Sequence, residues 1–129
     1  MKQHEVANWV KSGPAPELLN AAEKLGRELQ QKRLTTSQIR QVFSRLKSVE
    51  AKGYKGAQRT EFMMLKPYIA YAAGRPGSSE GTRILKEKVT WGIDAVLADD
   101  KNTAEEQRFY NFCKFFEAVL AYHRAHGGK

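Results

Sequence analysis

Apolar residues recur along this chain every three to four positions, the spacing of one face of an α-helix, and alternating strand patterns are scarce. Val6, Trp9 and Val10 mark a short first helix over roughly 4–11. Gly13-Pro14-Ala15-Pro16 breaks the chain, and Pro16 suits the first turn of a second helix. Its stripe is Leu18, Leu19, Ala22, Leu25 and Leu29, and it ends around 31–33. Thr35-Thr36-Ser37-Gln38 has the form of a capping box with Thr35 as cap. The helix it opens carries Ile39, Val42, Phe43, Leu46 and Val49 on one face and stops at Gly53. A fourth helix is predicted over about 57–73, with Phe62, Leu65, Ile69 and Ala72 inward and a kink or break at Pro67. A loop at 74–79 leads to a fifth helix over roughly 79–98, with Leu85, Val89, Ile93 and Val96 inward. Asp99-Asp100-Lys101-Asn102 is a turn, and Thr103-Ala104-Glu105-Glu106 reads as a second capping box. The helix that follows runs to about Ala125, with Phe109, Phe112, Cys113, Phe116, Val119 and Leu120 on its main face. Tyr110, Phe115 and Tyr122 widen that face beyond one stripe, which predicts a central helix. The fold class expected is all-α: a compact bundle of five or six helices, one domain over 1–129 with 1–13 as a short N-terminal arm.

Candidate chemistry changes this picture little. One cysteine, Cys113, allows no disulfide within the chain and fits a reducing, cytoplasmic setting. No run approaches the ~18 apolar residues of a membrane span, so no membrane partner is expected. Cys113 lies on an apolar face without a nearby base. His123 and His126 are three apart near a helix end but lack a third ligand. Asp99 and Asp100 read as turn chemistry rather than a magnesium site. Gly74, Gly77 and Gly81 lack the Gly-Lys-Ser/Thr ending and preceding strand of a phosphate loop. The expectation is therefore a chain with no catalytic residue, no metal and no cofactor.

Charge is more informative. The 129 residues carry 22 Lys and Arg against 14 Asp and Glu, a formal net charge of +8. Between Arg33 and Arg75, nine Lys and Arg face only Glu50 and Glu61; nine less two is an excess of seven, nearly the whole net charge. Such concentration points to an anionic partner. Arg40 and Lys47 share one helical face, Arg45 and Lys52 a neighbouring strip, and Lys55, Arg59, Lys66 and Arg75 continue the series. Tyr54, Tyr68 and Tyr71 interleave with them; Tyr54, in a predicted loop, is the first choice for stacking on a base. No zinc-finger spacing, RNP motif or Gly-x-x-Gly clamp is present, so a backbone grip without base reading is expected.

Three stretches carry a resemblance. They are Leu34-Thr35-Thr36-Ser37-Gln38-Ile39-Arg40, Leu65-Lys66-Pro67-Tyr68-Ile69-Ala70-Tyr71-Ala72-Ala73-Gly74-Arg75, and Phe112-Cys113-Lys114-Phe115-Phe116-Glu117-Ala118-Val119-Leu120-Ala121-Tyr122-His123 with the ending Gly127-Gly128-Lys129. Together, over roughly 34–129, they resemble the small subunit of the type III-A CRISPR effector, the Csm complex. The resemblance implies a non-catalytic helical bundle lying beside the guide RNA and its single-stranded target RNA in an antiviral defence complex. It further implies contacts with the backbone and large subunits and self-association with further copies, cleavage belonging to those other subunits. Lys66, Tyr71 and Arg75 fall in the shared stretch; Lys52, Lys55, Arg59, Arg40 and Lys47 join the RNA-binding set by charge placement. A small subunit of a type III-B complex, or a protein–protein adaptor without RNA contact, is the alternative.

Overall fold

Residues 1–128 are described by a computed structural model; the Lys129 of the C-terminal motif lies outside the described residues. Helices follow one another as α1 (Gln3–Ser12), α2 (Pro16–Gln31), α3 (Thr36–Lys52), α4 (Ala57–Met63), α5 (Leu65–Gly74), α6 (Glu80–Leu97) and α7 (Glu105–Ala125), and the described residues contain no strand. The all-α bundle expected from the periodicity is what forms.

Local chemistry sets most boundaries. Thr35 accepts a hydrogen bond from the Gln38 backbone N–H at 3.2 Å, and the Gln38 side chain accepts from the Thr35 N–H at 2.9 Å, closing the capping box. Ser79 caps α6 by accepting from the Thr82 N–H at 3.1 Å. Asp100 accepts from the Asn102 N–H at 2.9 Å, making the expected turn. The interruption attributed to Pro67 appears one turn earlier, at Met64, between α4 and α5. Proline has no N–H for the carbonyl four residues back, which here is Met63, and Pro67 itself sits harmlessly in the first turn of α5.

Helix α7 is the axis of the bundle, touching α1, α2, α3 and α6. Phe109, Phe112, Phe115 and Phe116 are all fully buried, and each burial stabilises the fold by about 2–3 kcal/mol. Phe62 meets Phe109 and Phe112 edge-on at 5.2 and 5.6 Å, Phe43 stacks on Phe116 and Trp9 on Phe115. This explains the broad apolar face: rings point from α7 toward several partners at once. Gly26 lets α2 press against it, because a Cβ there would lie 2.6 Å from the His123 backbone nitrogen. Leu19 departs from its expected stripe and is 53% exposed.

The second capping box does not form. The residue at the cap position of α7 is Ala104, with no side-chain hydrogen bond. Arg108, 2% exposed, organises this junction instead. Its guanidinium donates to the carbonyls of Val96 (2.8 and 3.0 Å), Ala98 (2.8 Å), Asp100 (2.7 Å) and Thr103. It thereby caps the C-terminal end of α6, where the helix dipole favours a cation. The segment expected as an arm is α1, seated on α6 and α7. The Asn111 side-chain amide donates to the Val10 carbonyl at 2.8 Å.

Candidate nucleic-acid interface

Along the outer edge of α3, where it faces α4 and α5, three adjoining shallow depressions that share boundary residues form a trough. Ser37, Gln41, Ser44, Ser48 and Lys52 recur along α3 at intervals of three and four, one helical face. Ser37, Arg40, Gln41, Ser44, Arg45 and Tyr68 line its middle. Arg45, Ser48, Lys52, Gln58, Glu61 and Met64 line its far end. At the near end a cleft shares Gln41 and Tyr68 with the middle and carries Arg75 at its rim. The cations along this path are Arg40, Arg45, Lys52 and Arg75, and Glu61 is the one acid lining it. None of these four makes an ion pair among the described residues. The Arg45 guanidinium lies 3.9 Å from the centroid of the Tyr68 ring, which steadies a long side chain.

The remaining expected residues lie elsewhere. Arg59 holds Glu105 with nitrogen–oxygen distances of 2.6 and 3.3 Å. Arg59's hydrogen bonds hold the Glu105 carboxyl below its usual pKa, and the same contact raises that of Arg59. Lys66 pairs with Asp94 of α6 at 2.7 Å, and Lys47 pairs with Glu50, which raises the Lys47 pKa. Lys55 is exposed, as is Tyr71 at 73%. Thus Arg40, Lys52 and Arg75 come together on one path, whereas Arg59, Lys66 and Lys47 are engaged by acids of the chain itself.

Tyr54 corrects an expectation. It is 5% exposed, stacks on Phe109 at 4.5 Å and donates its hydroxyl to Glu105 at 2.7 Å. Burial, reinforced by that hydrogen bond, raises its phenol pKa well above the ordinary value. It is a core residue with a satisfied hydroxyl, so it offers no face to a base. Arg45 lies at the middle of the trough against Tyr68; the three–four spacing of Gln41, Ser44 and Ser48 along α3 is the sequence signal that points to Arg45.

The other candidate groups also have definite places. Cys113 is buried, and burial pushes its thiol up to about 12. His123 is fully buried with Nε2 2.7 Å from the Leu34 carbonyl. A carbonyl only accepts, so Nε2 donates to it, and Nδ1 has no partner among the described residues. His126 lies 3.7 Å from Glu23 instead of joining His123. Asp100 pairs with Lys11 at 3.6 Å. No helix among the described residues is long and apolar enough to cross a membrane.

Comparison with known proteins places this chain. Residues 13–129 match the family described as Csm2 Type III-A, which extends the likeness upstream of the three motifs. A relative from Enterococcus italicus, named CRISPR system Cms protein Csm2, is 35% identical over 96 residues. That match covers 69% of this chain and spans 65% of the relative's length. No solved structure matches. A family match over nearly the whole chain, on a helical bundle of the expected kind, makes this chain a member of the Csm2 family of type III-A CRISPR systems, the small subunit that its motifs resemble.

Proposed function

We propose that this protein is a non-catalytic subunit that grips single-stranded RNA along the α3–α5 trough, irrespective of sequence. In the type III-A effector it would run beside guide and target RNA and help assemble the interference complex with the backbone and large subunits and further copies of itself. The observation that carries the reading is the trough itself: four cations along one path, unpaired among the described residues and interleaved with hydroxyls and amides. Lys and Arg hold phosphate by charge, while serine hydroxyls and glutamine amides donate to phosphate oxygens; neither needs a particular base. Lys55 and Tyr71, exposed outside the trough, extend the surface available to RNA. Met63 and Met64, exposed on the same helical pair, support an additional protein contact.

The test is binding of unrelated single-stranded RNAs across a salt series. Four phosphates neutralised give a log–log slope of about −2.8, at roughly 0.7 per contact. The Arg40→Ala, Arg45→Ala, Lys52→Ala protein is expected to bind all sequences more weakly and to flatten the slope by about 2. Unchanged affinity and slope would remove the trough as the interface.

A further inference from the structure

The cleft at the near end of the trough is more enclosed than the middle of the trough. Leu34, Val42, Ile69 and Leu85, each almost fully buried, back it, while the surface it presents is more polar than apolar. Its volume is about 230 Å³. Pockets for drug-sized ligands run from about 300 to 1,000 Å³, so this one suits a single flat heterocycle rather than a larger molecule.

Resting on the reading of the trough as a single-stranded RNA site, we infer that this cleft receives one unstacked nucleobase of the bound strand. Continuity carries the argument first. Gln41 and Tyr68 line both the cleft and the middle of the trough, so a strand lying past Arg40 and Arg45 passes the cleft mouth. Arg75 stands at that mouth without an ion-pair partner among the described residues, placed for the phosphate of the nucleotide whose base turns in. The polar rim gives the second argument. The Gln38 carbonyl oxygen is engaged by Thr35 and the Gln41 oxygen faces the Tyr68 hydroxyl at 3.5 Å. The NH₂ groups of both amides have no partner among the described residues and donate only. Each of the four bases presents at least one acceptor edge, so two such donors receive any base without choosing among them. A sequence-tolerant base pocket is thus compatible with a sequence-independent grip.

The experiment compares, on the full chain, a single-stranded RNA oligomer with one of equal length built from abasic ribose spacers. The protein is expected to bind the base-bearing strand at least about fivefold more tightly, the low end of what burying a base against a protein surface contributes. Ala72→Leu, which narrows the cleft from a half-buried lining position, should abolish that preference while both strands keep the salt dependence. Should Ala72→Leu fail to fold by helical circular dichroism, Gln41→Ala, exposed on α3, is the substitute and should reduce the preference at least about twofold. Equal, salt-dependent binding of both strands would overturn the base pocket and leave the trough standing. A preference that survives in the folded variant would also overturn it. Failure of both strands to bind would overturn both readings together.

Discussion

Arg59 clasps both carboxylate oxygens of Glu105 across 46 residues of sequence, and Tyr54 donates to the same carboxylate from beneath. The three groups join the α3–α4 loop, α4 and the first turn of α7, so this cation serves the fold before any partner.

Arg59→Ala is expected to lower stability by about 0.5–1 kcal/mol, discounted for the half-exposed position of the pair, and to change RNA affinity less than about twofold. Arg45→Ala should do the reverse, leaving the urea midpoint in place and weakening RNA binding. Chemical denaturation and RNA titration on the two proteins separate the roles.

The same carboxylate gives a pH dependence. Glu105 titrates below its ordinary 4.5 in the folded chain, so the unfolded chain binds its proton first as pH falls. Its contribution is complete above about pH 4.5 and disappears as pH drops through the depressed folded value. Glu105→Gln should therefore unfold more easily than the parent at pH 7, with the gap narrowing in acid. A gap that widened in acid would contradict the assignment.

Arg108→Met should cost about 3 kcal/mol or more, since it strips hydrogen bonds from four carbonyls at the α6–α7 junction. Urea denaturation measures this directly. A loss below about 1 kcal/mol would mean that water replaces the guanidinium there.

Gly26→Ala should destabilise the protein by about 1–3 kcal/mol, because the new methyl meets backbone atoms of α7 that cannot rotate away. The thermal midpoint is the readout, and an unchanged midpoint would show that α2 can shift outward.

Cys113 should resist a thiol reagent at pH 7 in the folded state and react promptly in denaturant, since burial keeps the thiol protonated and covered. Rapid labelling of the native protein would contradict its place in the core.

What could be read in the sequence was local. Thr35 with Gln38, Gly53 and Pro16 fix helix ends through bonds or dihedral limits within a few residues, so the sequence displays them. The wide apolar face of α7 likewise announced its central place. Long-range pairing was invisible: nothing near Lys66 indicates that Asp94 neutralises it from 28 residues away. Tyr54, flanked by Gly53 and Gly56, looks like a loop tip, and only the ring of Phe109 beneath it makes it core. Arg108 is the clearest case, because a charged residue beside Phe109 reads as surface until the end of α6 supplies its carbonyls. Charge counting therefore found the basic segment, and folding decided which of its cations are paired within the chain.

The start of α3 is pinned from both sides. The Gly81 N–H donates to the Lys32 carbonyl at 2.9 Å, and His123 holds the Leu34 carbonyl from within the core. The start of the helix that presents Arg40 and Arg45 is thus held in place by the fold itself. On the proposed reading, RNA binding has only side chains left to order, at about 0.5–1.5 kcal/mol for each one immobilised. Arg45, resting on Tyr68, has surrendered part of that freedom in advance. On that reading the trough acts as a preorganised rail, whose affinity is limited by salt and by side-chain entropy rather than by folding.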